Sequence, residues 1–387
     1  MDNLTIVFEI RQQGVFMKRL LLPALVFAVL ALPVSAGAKT YDKDYIGKIK
    51  VYRAAFEDTF VHLARDNDLG FVEMRAANPN VDPWIPGAGT KIILPKQHLL
   101  PDAPREGIVI NLPEMRLYFF PKGGTAPKTY SIGIGREGLK TPVGSTKIAW
   151  KKVGPTWSPT PRMRKEDPSL PATVPAGPEN PMGTHAMYLG WPQYAIHGTN
   201  KPYGIGRRVS SGCIRMYPEG IKDIFPRVPV GTKVSVVDQP VKVGWIEDKM
   251  YIEVHPTQKQ SLKIEDEGLL KAYEITKEDM KRIAAKAGSY AGQIDWESVR
   301  EAVRSHSGYP VAVLDKRRKM GQRVQDDLQV LLEEAGTSKK EIKLEAAKGT
   351  QPQKKEQAPK ARAREKATLP TKEESSSSGA SPVPFND

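Results

Sequence analysis

One stretch limits what this chain can be. Residues 194–216 read YAIHGTNKPYGIGRRVSSGCIRM and hold the only cysteine of the protein, Cys213, sixteen residues after His197. Gly198, Gly204, Gly206 and Gly212 lie between the two. Glycine lets a backbone turn tightly and approach another group closely. Tyr194–Ile196 has the composition of a strand leading into His197, and Ser210–Gly212 that of a turn leading into Cys213. Two such segments side by side would bring thiol and imidazole within hydrogen-bond reach. A free thiol titrates near ~8.5 and is mostly protonated at neutral pH, so a cysteine nucleophile needs a neighbouring base. The competing reading is a buried, inert cysteine and an unrelated surface histidine, because one Cys and one His in a chain is a common coincidence.

The wording of the stretch separates these readings. HGTN, then IG, then S-x-G-C-I-R-M resembles the signature of the L,D-transpeptidases (YkuD domain), within them the ErfK/YbiS/YcfS/YnhG group. The resemblance implies that Cys213 is the acylated nucleophile and His197 its base. Two positions depart from the common pattern. Ser211 stands where many members have a second His, and Arg215 stands where the family Asn follows the Cys. The backbone N–H groups of Gly212 and Cys213, with Ser211, are expected to form an oxyanion hole supported by Ser210 and Thr199. Thr199 and Asn200 are expected to fix the loop that aims His197; Arg215, Asn200 and Tyr188 are expected to face the substrate. His185 is a rival base without the HGT context.

The resemblance also implies the chemistry. The thiol attacks the diaminopimelate–D-Ala bond of a peptidoglycan stem, D-Ala leaves, and a thioester forms. An amine then takes the acyl group: a second diaminopimelate, giving a 3→3 crosslink, or a lysine of a wall-anchored lipoprotein. Water as acceptor would make the protein a carboxypeptidase or amidase. A non-catalytic wall binder with an idle Cys213 is the reading from another class. Carbapenem sensitivity is implied. No cofactor is expected, and no metal, because His, Cys and Asp do not recur at ligand spacing.

Charge and export narrow the partner. The net charge is +14. Between Arg105 and Asp238 there are 19 Lys and Arg against 9 Asp and Glu, a local excess of 10. A basic face suits an acidic partner. No nucleic-acid module is recognisable, which favours a carboxylate-rich polymer. Residues 17–38, MKRLLLPALVFAVLALPVSAGA, have the positive head, apolar run and small-residue end of a secretory signal peptide. Cleavage would follow Ala36 or Ala38, Met17 reads as the natural start, and the product would be periplasmic, with no further membrane span. Disulfides need pairs, so a single thiol in an oxidising compartment is a liability unless it does chemistry.

The rest divides in order. Residues 41–95 read as strand (Lys50–Arg53), helix (Thr59–Asp66), helix (Phe71–Ala77) and strand (Lys91–Leu94). This β-α-α-β unit, with EDTF and G-T-K-I-x-L-P, resembles the LysM module that binds N-acetylglucosamine-containing glycans, although Glu57 replaces the usual Gly. A lead-in domain without a ligand is the alternative. Residues 105–238 read as a mainly β catalytic domain, a sandwich or barrel with one short helix over Glu219–Phe225. Within it, residues 136–183 read as one long Pro/Gly-rich loop, with Trp157 and Met163 as parts of a lid. Residues 239–314 read as a small α/β appendage with a hairpin turning at Glu247-Asp248-Lys249 and helix caps at Thr276 and Asp295. Residues 315–387 read as a charged, disordered tail with one helix over 324–335.

Overall fold

The computed structural model describes residues 39–267 and 275–317. The expected signal peptide and nearly all of the expected tail, including its helix, lie outside the described residues.

A short strand, β1 (Tyr45–Gly47), precedes a β-α-α-β unit of β2 (Lys50–Arg53), α1 (Phe60–Asn67), α2 (Phe71–Ala77) and β3 (Lys91–Leu94). β2 and β3 pair antiparallel. β4 (Gln97–Leu99) then returns to pair with β1. Thr59 Oγ1 caps α1 by accepting from the His62 N–H, satisfying one of the helix's orphan donors. Phe60, Leu63, Met74, Ile92 and Leu94 form the unit's own core. Burying each such side chain stabilises by about 1.5–3 kcal/mol.

The central domain contains β5 (Gly107–Asn111), β6 (Arg116–Phe120), β7 (Lys128–Gly135), β8 (Gly144–Val153), α3 (Pro161–Glu166), β9 (His185–Leu189), β10 (Ala195–His197), β11 (Arg208–Ser210), β12 (Ile214–Met216), α4 (Pro218–Ile224) and β13 (Lys233–Val237). The strand order is β11-β7-β12-β10-β9-β8-β13-β5-β6, and β6 pairs back onto β7, closing a barrel. β7 achieves closure by changing partners along its length. Residues 128–131 pair with β6, 132–133 with β12, and 134–135 with β11. Ile110, Leu117, Ile132, Ile196, Ile214 and Val234 fill the interior, and Ile221 and Ile224 of α4 pack against them.

The stretch expected as a single loop over residues 136–183 instead carries a ten-residue strand, β8, and the short helix α3. β8 reads GSTKIAWKKV and buries only Ile148, so neither an apolar run nor a strict alternation announces it. The remainder is tied down by Asn180, whose Nδ2 lies within 3.0 Å of the carbonyls of Pro155, Val174 and Pro175.

The C-terminal part consists of the hairpin β14 (Val241–Ile246) and β15 (Lys249–Val254), helices α5 (Gln258–Glu267), α6 (Lys277–Ala287) and α7 (Trp296–Ser305), and β16 (Val311–Asp315) paired with β15. Thr276 and Asp295 cap α6 and α7. α5 has no clear signal in the sequence; its Ile264 joins the barrel core.

The three parts meet at a buried polar cluster. Arg116 Nη2 lies 2.6 Å from Glu73 Oε2. Lys242 Nζ lies 2.8 Å from both Glu114 and Glu253. His255 Nε2 lies 2.7 Å from Glu253, and the Tyr118 hydroxyl donates to Glu114. Among its members, Glu73 comes from α2, Arg116 and Tyr118 from β6, and Lys242 and Glu253 from the hairpin.

Candidate active site

The barrel brings the two halves of the 194–216 stretch onto neighbouring strands. β10 and β12 are parallel, with Ile196 opposite Ile214 and His197 opposite Arg215. Successive side chains of a strand point to opposite faces. Ile196 and Ile214 therefore enter the core, while Ala195, His197, Cys213 and Arg215 share the outer face. β9 extends the same pattern, with Tyr188 opposite Ala195 and Ala186 opposite His197. Cys213 packs there with Ala195, Tyr188, Met182 and Trp157. Tyr188 stacks on Trp150 of β8, with centroids 3.5 Å apart and planes 7° from parallel.

His185 stands on the other face of β9. It packs against the Phe225 ring at 4.7 Å and pairs with Thr184 Oγ1 at 2.8 Å. The strand's alternation separates it from the thiol and leaves His197 as the histidine of the Cys213 face.

The nucleophile turn is braced from within. Gly212 has φ +107°, and a Cβ there would meet the Tyr194 ring at 2.9 Å. The buried Ser210 hydroxyl accepts from the Gly212 N–H at 3.1 Å and donates to the Cys213 carbonyl at 2.5 Å. Thr141 Oγ1 donates to the Gly212 carbonyl at 2.9 Å. The Gly212 N–H is thus engaged by Ser210, in contrast to its expected place in an oxyanion hole. Ser211 is half-buried beside it.

Residues 198–201 hold the imidazole. His197 is buried, and its Nδ1 lies 2.6 Å from the Gly198 carbonyl. A carbonyl only accepts, so Nδ1 carries the proton and Nε2 keeps the lone pair. Thr199 Oγ1 accepts from the Lys201 N–H at 2.9 Å. Asn200 Nδ2 donates to the Glu179 carbonyl at 3.1 Å, fastening the loop to the irregular segment. Both contacts tie down the loop that follows His197. Asn200 spends its amide on that anchor, whereas Tyr188 and Arg215 flank the thiol and imidazole.

Electrostatics do not favour a resting thiolate–imidazolium pair. Burial, then the Arg215 charge, hold the His197 imidazole down at about 4, with the Gly198 and Met182 carbonyls partly offsetting them. Burial pushes the Cys213 thiol up, against the pull of the Ala195 backbone and Arg215. Both groups rest neutral at pH 7, because desolvation disfavours each charged form. The two side chains also share no hydrogen bond at rest. The thiol donates to the Gln193 carbonyl at 3.5 Å. His197 lies one strand over and two residues along, a diagonal neighbour.

Sequence reasoning missed three residues of this site. Thr141 holds the turn, Gln193 (φ +68°) offers the thiol its acceptor, and Tyr194 covers Gly212. Their only signal is proximity in sequence for the last two; Thr141 arrives from β7's far end and has none.

One grouping among the described residues has metal-ligand spacing: His98, Glu114 and Glu253. It lies in the junction cluster. Lys242 already supplies a cation 2.8 Å from both carboxylates, so its donor set is matched to an ammonium. Among the described residues no helix is long and apolar enough to cross a membrane.

Comparison with known proteins places the barrel in a family. The family model for the L,D-transpeptidase catalytic domain, YkuD, matches residues 105–236. The chain is 41% identical over 311 residues to "Probable L,D-transpeptidase YbiS" of Escherichia coli K12, covering 76% of this chain and 98% of that protein. It is 39% identical over 301 residues to "Probable L,D-transpeptidase YcfS" of the same strain, covering 74% and 92%. It is 42% identical over 251 residues to "Probable L,D-transpeptidase ErfK/SrfK" of Salmonella typhimurium, covering 63% and 79%. With a matched catalytic domain that spans the barrel and relatives covered almost end to end, the chain belongs to the L,D-transpeptidase family.

Proposed function

We propose that this protein is a cysteine-dependent L,D-transpeptidase of peptidoglycan. Cys213 attacks the carbonyl that joins the L centre of diaminopimelate to D-Ala in a tetrapeptide stem. As the sulfur–carbon bond forms, the thiol proton passes to His197 Nε2. The imidazolium returns it to the departing D-Ala amine, leaving a thioester. An incoming amine attacks that thioester, gives its proton to His197, and the amide forms as the thiol is restored. The neutral resting pair makes the first proton transfer part of the attack, with the thiol turning from the Gln193 carbonyl toward His197 as substrate arrives. Apo hydrogen bonds in active sites are often loose and tighten on binding. With the Gly212 N–H engaged by Ser210, the Cys213 and Ser211 N–H groups are the oxyanion donors of the turn in this reading.

One observation carries this reading: Cys213 and His197 share one face of adjoining strands, with the imidazole's Nδ1 locked on Gly198. The 19 basic residues of the catalytic region suit a carboxylate-rich polymer. Residues 41–95 are proposed to hold a glycan strand of it. Phe56, Trp84 and Ile85, exposed on the connections of the β-α-α-β unit, support that role. The signal-like segment at residues 17–38 would deliver the enzyme to the periplasm.

Purified protein incubated with tetrapeptide muropeptides and an amine acceptor tests the proposal by mass. A crosslinked dimer is expected. A trimmed monomer would indicate water as acceptor, and unchanged substrate would leave a wall-binding protein. Crosslinking by Cys213→Ala would refute the cysteine mechanism.

A further inference from the structure

We infer that helix α5, in the C-terminal part to which no role attaches, positions the nucleophile by gripping strand β11 through Arg207 and Arg208. This rests on the cysteine mechanism proposed above. β11 spans only Arg208–Ser210 and pairs with β7 at two positions, with a register shift between them. It ends on Ser210, whose hydroxyl braces the Cys213 turn. So short a strand has a short ladder: β7 holds it through the Ile134 N–H to the Arg207 carbonyl at 3.1 Å and the Arg136 N–H to the Ser210 carbonyl at 2.8 Å, and further hold comes from outside the barrel.

Two outside elements supply it. Arg208 is buried; its Nε donates to the Gly135 carbonyl of β7 at 3.3 Å and its Nη1 to the Gln258 carbonyl, the first residue of α5, at 2.5 Å. Arg207 Nη1 lies 2.6 Å from Glu265 Oε1 near the other end of α5. Between these points Ile264 plugs into the barrel core. The opposite flank is α2. The Arg207 guanidinium sits 3.9 Å from the Phe71 ring centroid, and the Val72 N–H donates to the Gly206 carbonyl at 3.3 Å. A Cβ on Gly206 would come within 2.2 Å of Gly70 Cα, so the backbones touch. Residues 206–208 are therefore held from both sides by segments outside the 105–236 catalytic match. Charge-assisted hydrogen bonds of this kind are roughly twice as strong as neutral ones. A displacement of ~1 Å at a reacting group can cost about 10²-fold in rate.

The full chain carrying Glu265→Gln, Arg207→Gln or the swapped pair Arg207→Glu with Glu265→Arg tests this. Turnover on muropeptides, thermal midpoint and the rate of Cys213 alkylation are read together. Each single variant should lower kcat about tenfold, with KM within about twofold, while alkylation speeds up several-fold as the turn loosens. The swapped pair should recover most of kcat. Arg208→Lys keeps the charge but cannot span both carbonyls, and should give the same split. Arg300→Ala, at an exposed pair with Glu297, should change nothing. Wild-type kcat and alkylation in Glu265→Gln would overturn the inference. So would a kcat loss that only tracks the unfolded fraction. Turnover by Cys213→Ala would instead refute the mechanism beneath it, a separate result.

Discussion

The neutral resting pair has a sharp consequence for the thiol. Burial holds the Cys213 thiol above its ordinary range. Two pH units below such a value, the thiolate is at most about 1% of the population. Alkylation by iodoacetamide, which needs the thiolate, should therefore rise about tenfold per pH unit from pH 5 to pH 8, without a plateau. The protein has one cysteine, so intact mass reads this rate without background. His197→Ala should leave the alkylation curve within about threefold, because a neutral imidazole does not stabilise a thiolate. The same variant should lower turnover by about 10²–10⁴-fold, the usual contribution of positioned proton transfer. The acid limb of kcat/KM should follow His197 at about 4, giving flat activity from about pH 5 upward. A plateau of alkylation between pH 5 and pH 7 that His197→Ala abolished would mean a resting ion pair, and would refute the role assigned to burial.

His197 also predicts acid sensitivity of the fold. Its folded value, about 4, lies below the ~6.5 of an unfolded chain, so the unfolded state binds more protons between those values. Stability should fall by about 3 kcal/mol as pH drops across that window, and His197→Gln should flatten the loss in urea unfolding. Gly212→Ala should cost about 1–3 kcal/mol from its left-handed backbone and Tyr194 contact, read as a lower thermal midpoint, with crosslinking abolished. Ser210→Ala strands the Gly212 N–H and the Cys213 carbonyl and should cost about 2–4 kcal/mol in denaturant unfolding. Lys242→Met leaves Glu114 and Glu253 buried without their cation and should cost about 3–5 kcal/mol by the same measurement.

The site was legible where chemistry is written in residue type, and the fold where periodicity is strong. Cys213 and His197 stand out as a rare thiol and its imidazole, and the β-α-α-β unit was readable because Thr59 and the stops around Asn78 bound its helices. The strands around Ile108, Leu117 and Ile132 carry apolar runs because one face fills the barrel interior and the other is covered from outside by Ile46 and Leu100. β8 was not readable, since its exposed lysines and single buried Ile148 resemble loop composition. Nor was the protonation state of the pair. It depends on how thoroughly the outer face is covered by Met182, Trp157 and Tyr188, which is a tertiary property. Thr141 escaped for the same reason: it meets Gly212 across 71 residues.

The junction cluster constrains how the parts can move. Opening the contact between α2 and the barrel would part Arg116 from Glu73, and withdrawing the hairpin would part Lys242 from Glu114. Each separation strands a charge that is wholly buried, at a cost of about 3–5 kcal/mol. Burial, then the Arg116 and Lys242 charges, hold His98 well below the ordinary imidazole range, so it adds no further charge to the cluster. A hinge at this place would thus be opposed more than once over, and the β-α-α-β unit keeps a fixed relation to the barrel. If the N-terminal unit holds a glycan strand, as proposed above, its stem peptides would meet the thiol at a set distance and angle.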